Sequence, residues 1–173
     1  MASLESILKN LDMSAIALPD NKLDECKYFY SLLEHEENRD HFRWLLSAFL
    51  GACYSHLEIT AKSLFHAFQD PETGETYQDD DALTILGKYV SASQNKKKPE
   101  YVKTKGLLAL TEKLYEIRNK NTHHYALSIM RLGESPNCRF QIGHMSGEGV
   151  DALIFCEEIL SLFEQIESEL KYG

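Results

Sequence analysis

Between Asp40 and Phe68 the apolar residues Phe42, Leu45, Leu46, Phe49, Cys53, Leu57, Ala61, Leu64 and Phe68 recur at helical spacing. An apolar stripe at this period is helical, and no alternation of period two competes with it. A helix of that length must cover its stripe with other elements, and the rest of the chain supplies candidates. Lys22 to about Asn38 repeats Leu23, Cys26, Tyr30 and Leu33 at the same spacing, with Asp20 or Asn21 placed to cap it after Pro19.

Downstream, Asp70 to Asp81 contains Pro71 and Gly74 and reads as a loop, and Asp81 to Val90 as a short helix. Pro99 suits the first turn of the next helix, which runs to about Asn119 and buries Val102, Leu107, Leu110, Leu114 and Ile117. Leu127–Arg131 and Arg139–His144 flank a Gly- and Pro-containing segment, as in a hairpin. The last helix, about Gly149 to Lys171, presents Val150, Leu153, Ile159, Leu160, Phe163, Ile166 and Leu170. Leu4–Leu11 adds a short amphipathic element. The expected fold is all-α, an up-and-down bundle of four main helices with short additional helices and a hairpin-like excursion before the last one. The 173 residues fit a single domain, 1–173.

The longest mostly apolar run, Trp44 to Tyr54, is well short of the ~20 residues that span a bilayer, and MASLESILKNLDM lacks the basic start and apolar core of a signal peptide. The expectation is a cytoplasmic protein with no membrane partner. Cys26, Cys53, Cys138 and Cys156 are scattered, which favours reduced thiols over a zinc knuckle or a disulfide framework, and Cys53 and Cys156 fall in apolar helical patterns. A net charge of −9 argues against a protein that coats nucleic acid non-specifically through clustered cations. It leaves room for a compact site. Positive charge is concentrated at Lys96, Lys97, Lys98, Lys103 and Lys105, before the helix that carries Arg118 and Lys120.

Arg118, Asn119 and His123 stand together where that helical pattern ends. A guanidinium forks onto two phosphate oxygens, and an imidazole with a reference pKa near ~6.5 gives or takes a proton at neutral pH. Along an unbroken helix the five-residue step from Arg118 to His123 turns by about 500°, or roughly 140° net, so convergence needs a loosened turn. Asn121 and Thr122, poor helix formers, lie where that loosening is needed. Arg139 and His144 have the same spacing, but their segment alternates like a strand that Gly143 closes.

The run Arg118, Asn119, Lys120, Asn121, Thr122, His123 resembles the arginine, four-to-six residues, histidine signature of HEPN domains, helical bundles that are frequently metal-independent ribonucleases. Tyr125 extends the match to a form similar to HEPN toxins encoded beside a minimal nucleotidyltransferase antitoxin, in which the tyrosine receives nucleotides from the partner. The resemblance implies a homodimer with two motifs at one cleft and an endoribonuclease in a toxin or defence role that needs no cofactor or metal. His123 would deprotonate a ribose 2′-OH, Arg118 would stabilise charge on the phosphoryl oxygens, and Asn119 would orient phosphate or imidazole. Apart from the resemblance, the local concentration of positive charge offers Lys120, His124, Lys103 and Lys105 as RNA-binding residues. Some roughly twenty residues separate the motif from the last helix, where compact members of the family run almost directly into it.

Other readings stand beside this one. Arg118 and Lys120 suit the negative end of a helix dipole. A catalytically inactive HEPN-like module would use Arg118 to hold a nucleotide or a partner protein. A metal-dependent bundle enzyme would draw on His35, Glu36, Glu37 and His41, although such enzymes need Glu and His three apart on two facing helices, a pattern these residues at an interhelical turn lack. Tyr28, Phe29, Tyr30, Phe42 and Trp44 serve either as core or as a platform for stacking bases.

Overall fold

The computed structural model describes residues 19–65, 68–69, 76–77, 80–90, 108–123, 127–134, 138–143 and 149–172. The expected element at Leu4–Leu11, Pro99, and the lysines from Lys96 to Lys105 lie outside them. Helices α1 (Pro19–Leu33) and α2 (Arg39–Phe65) come first, followed by a two-residue ladder of β1 (Phe68–Gln69) and β2 (Thr76–Tyr77). Then come α3 (Asp80–Gly87), α4 (Ala109–His123), strands β3 (Ile129–Leu132), β4 (Arg139–Ile142) and β5 (Val150–Asp151), and α5 (Ala152–Tyr172). The class is mainly helical. It also contains sheet: β3, β4 and β5 form an antiparallel sheet in that order, with Ile129 opposite Ile142 and Ile142 opposite Val150. The expected hairpin is present, and the third strand is an addition to it.

Helix α2 is the hub, packing against α1, α3, α4 and β3, while α5 closes the other side against α1, α3 and β4. Its predicted stripe is the one that is buried: Phe42, Leu46, Phe49, Cys53, Leu57 and Ala61 are all nearly inaccessible. Leu23, Cys26 and Leu33 from α1 and Phe155, Cys156, Ile159, Phe163 and Ile166 from α5 complete this core, with Leu86 and Leu114 sealing it from α3 and α4. Each such side chain contributes about 1.5–3 kcal/mol by leaving water.

Local chemistry sets the boundaries more sharply than periodicity does. Helix α1 ends at Leu33, five residues before the expected Asn38, because Asn38 is used to start α2: its Oδ1 accepts the amides of Asp40 (2.9 Å) and His41 (3.1 Å). Glu36 Oε1 in turn accepts the Asn38 amide at 2.7 Å. Likewise α5 begins at Ala152 and not at Gly149, since Asp151 closes β5 and caps the helix, taking the amides of Leu153 and Ile154 at 3.1 Å each. Phe68 leaves the α2 pattern to pair with Tyr77. Gly143, with φ of 137°, ends β4 in a conformation that side chains rarely adopt, and its amide bonds to the Ser128 carbonyl.

A polar clasp ties the end of α3 to α5. The Tyr89 hydroxyl donates to Glu169, Gln165 Nε2 donates to the Tyr89 oxygen at 3.0 Å, and Lys88 reaches the same carboxylate at 3.4 Å. The bond to Glu169 holds the Tyr89 phenol above its ordinary pKa, and the Tyr89 bond holds the Glu169 carboxyl below its own. The depressed carboxyl gives stability that is present above its unfolded pKa and lost as pH falls through the folded value. The raised phenol gives stability that is present below its unfolded pKa and lost as pH rises through the folded one. Tyr89→Phe is therefore expected to flatten both the acid and the alkaline limb of a plot of thermal midpoint against pH.

The thiols behave as core atoms. Burial raises the pKa of Cys53 well above normal, helped by its contact with Cys26, and burial with the charge of Asp151 raises that of Cys156. Neutral, enclosed thiols are poor nucleophiles. Native protein treated with an alkylating agent should accept label at half-buried Cys138 while Cys26, Cys53 and Cys156 remain protected until denaturant is added; mass spectrometry of the peptides reads this directly.

Candidate functional site

The last turns of α4 lie against the middle of α2. Two contacts fix that pairing. Asn121 Nδ2 donates to Ser47 Oγ at 2.6 Å, and the Arg118 guanidinium carbon lies 4.3 Å from the centre of the Tyr54 ring. Ser47 and Tyr54 are seven residues apart on α2 and so share a face, as do Arg118 and Asn121 on α4. Tyr115 adds a second ring, tilted at 47° with its centroid 6.1 Å from that of Tyr54.

Arg118 is half-buried. Its Nη1 donates to Asn119 Oδ1 at 3.0 Å, and its guanidinium carbon sits over the Tyr54 ring. A cation over a ring is held electrostatically, so the ring and Asn119 together restrain the guanidinium at the α2–α4 seam. Asn119 thus holds the arginine. Lys120 is exposed beside it.

One local expectation is corrected. Asn121 and Thr122 do not loosen the helix, which continues through His123. The low propensity of asparagine, a few tenths of a kcal/mol, is outweighed by tertiary bonds worth about 0.5–1.5 kcal/mol each. Asn121 makes two of them: besides donating to Ser47, its Oδ1 accepts the Leu127 amide at 3.3 Å, tying the exit of α4 back onto its last turn. With the backbone helical throughout, positions 118 and 123 lie roughly 140° apart around the axis. The side chain of His123, and residues His124, Tyr125, Lys103 and Lys105, lie outside the described residues. Asn121→Ala should lower unfolding free energy by about 1–2 kcal/mol, measurable in urea, because it removes both bonds and strands a half-buried hydroxyl.

The other candidate clusters resolve into local structure. His41 Nδ1 is 3.6 Å from Glu36 Oε2, and His35 Nδ1 is 3.0 Å from the Ser31 carbonyl. Among the described residues no three His, Cys, Asp or Glu side chains are grouped so as to hold a metal ion. A cleft of about 240 Å³ opens at the α1–α2 turn, with Leu33, Phe42 and Phe140 in its wall and Glu34, Glu36 and Glu37 at its polar side. Those carboxylates make it unsuited to a phosphate. Of the five aromatics open to a stacking role, Phe42 is core, Phe29 and Tyr30 pack against it, and Tyr28 and Trp44 are each 60 % exposed, on different helices.

Sequence reasoning missed Ser47 and Tyr54. The available signal was slight: two polar or amphipathic residues seven apart, at the edge of the α2 stripe. No described helix is long and apolar enough to cross a membrane. Comparison of the chain with protein families, with curated proteins and with solved structures finds no match.

Proposed function

We propose that the protein is a metal-independent endoribonuclease built on a HEPN-like four-helix bundle, acting in a toxin or defence role, with Arg118 as its phosphate-binding residue. The observation that carries this reading is the seating of the guanidinium: its carbon over the Tyr54 ring, one N–H on Asn119, half-buried in the last turns of α4. An arginine needed only to complement a helix dipole gains nothing from such immobilisation.

The reaction is a transesterification. His123 removes the proton from a ribose 2′-OH, the oxygen attacks the adjacent phosphorus, the bond to the 5′-oxygen breaks, and Arg118 stabilises the charge gathered on the phosphoryl oxygens. The products are a 2′,3′-cyclic phosphate and a 5′-hydroxyl. Because a continuous helix turns Arg118 and His123 away from each other, one chain's pair converges poorly on one phosphate. A homodimer with two motifs at one cleft meets this by offering Arg118 of one protomer and His123 of its partner to the same phosphate. The second histidine then protonates the leaving oxygen. Tyr125, two residues on, is the position a nucleotidyltransferase antitoxin would modify.

The same helical separation favours a second reading, a catalytically inactive module in which Arg118 binds a nucleotide or a partner's phosphate. The two are separated by incubating purified protein with a mixed RNA pool in chelator and analysing the ends. Cyclic phosphates produced by wild type and not by His123→Ala support the nuclease. Binding of RNA or of a free nucleotide without cleavage supports the module, and a wild type that neither cleaves RNA nor leaves cyclic phosphates defeats the nuclease.

A further inference from the structure

The cleft at the α1–α2 turn is backed by Phe42, about 18 Å along α2 from the ring that seats Arg118. Four pieces of the chain meet there: the end of α1 at Leu33, the turn after it, the start of α5 at Leu153, and Cys138 with Phe140 at the beginning of β4. Cys138 and Phe140 are two apart in extended chain and share a face. Phe140 stacks on Phe42 with centroids 4.2 Å apart, which fixes an apolar back wall, and the half-buried Cys138 stands beside it.

The mouth has the opposite character. Glu34, Glu36 and Glu37 line it with His35, and among the described residues that line the cleft there is no lysine or arginine. Two of the carboxylates are held by the chain itself. The Tyr30 hydroxyl donates to Glu34, and Glu36 accepts the Asn38 amide at 2.7 Å while its other oxygen lies 3.6 Å from His41 Nδ1. A carboxylate has about four acceptor sites, so these bonds orient the oxygens without exhausting them. The arginines at the start of α2, Arg39 and Arg43, are turned to Asp40, each at 3.6 Å. Negative charge at the mouth of an apolar recess is focused there, because the low-dielectric walls screen it poorly.

We infer that this cleft is a binding site for a small organic ammonium ion, whose head donates to the Glu34 and Glu37 carboxylates and whose apolar body lies against Leu33, Phe140 and Leu153. The room, about 240 Å³, is below the ~300–1,000 Å³ of pockets for drug-sized ligands, so the body is a single ring or a short chain. Anions are repelled by the same carboxylates, and a neutral ligand of the same shape forgoes the charge-assisted bonds. The site uses none of the residues around Arg118 and stands independently of the role proposed for that arginine.

Cys138 reports occupancy. Phenethylammonium added to the full-length protein should slow alkylation of Cys138 by iodoacetamide saturably, read from the mass of its peptide, whereas 2-phenylethanol, of the same shape without the charge, should need about tenfold more. Calorimetric titration of the two compounds gives their affinities without recourse to the thiol. Glu34→Gln combined with Glu37→Gln should weaken the ammonium about tenfold and bring it level with the alcohol. Both side chains are exposed, so the thermal midpoint of this variant should stay within about 2 °C of wild type. An alcohol that binds wild type as tightly as the ammonium overturns the proposal. So does an ammonium that binds the double variant as tightly as wild type, and so does a failure of either assay to saturate with wild type.

Discussion

On the nuclease mechanism proposed here, replacing Arg118 by alanine is expected to lower the rate of RNA cleavage by about 10²–10³-fold, the range seen when one donor to a developing oxyanion is removed. The fold should survive. The Arg118 contacts to Tyr54 and Asn119 are made at a half-exposed surface, where a cation over a ring is worth about 0.5–1 kcal/mol. Arg118→Lys is the more informative partner. It keeps the charge but loses the planar guanidinium held over Tyr54, so a rate near that of alanine assigns the effect to orientation, and a rate near wild type assigns it to charge alone. Cleavage by Arg118→Ala at the wild-type rate would remove the arginine from the mechanism.

The largest loss of stability should come from Phe42→Ala. Phe42 is fully buried and stacks on Phe140 with ring centroids 4.2 Å apart, joining the start of α2 to the middle strand of the sheet. Truncation removes the transfer free energy of the ring and leaves a cavity against a β-strand that cannot easily collapse, which costs about 3–5 kcal/mol. A fall of that size in the free energy extrapolated from urea is expected, with the slope unchanged. A loss below ~1 kcal/mol would mean that β4 moves inward to refill the space.

Long-range order was legible where one period persisted. The stripe on α2 repeats often enough that its burial followed directly, and α5 likewise, because Phe163 and Ile166 have no alternative partner to water except the core. Shorter features were not legible. A two-residue strand such as β5 carries no period, and the cap at Asp151 looks in sequence like any helical acid. Asn121 misled for a different reason: propensity describes a residue alone, and its partners Ser47 and Leu127 are brought to it only by the fold. The seat of Arg118 on Tyr54 was hidden in the same way, since nothing in the motif around Arg118 refers to a residue in the middle of α2. The motif named an arginine, and tertiary structure supplied what holds it.

The packing of α1 against α5 also bears on how the chain is made. Lys27 pairs with Glu164 at 2.8 Å, and Cys26 is enclosed by residues that include Cys53 and Cys156, so the first and last described helices share one core. During synthesis α1, α2 and α4 leave the ribosome before the helix that shelters them exists, and their apolar faces wait for it. Arg118 and Tyr54 are translated before α5, yet the core that fixes α2 in place is completed only when α5 packs onto it. The seat of Arg118 on Tyr54 is therefore set by a helix that is made after both.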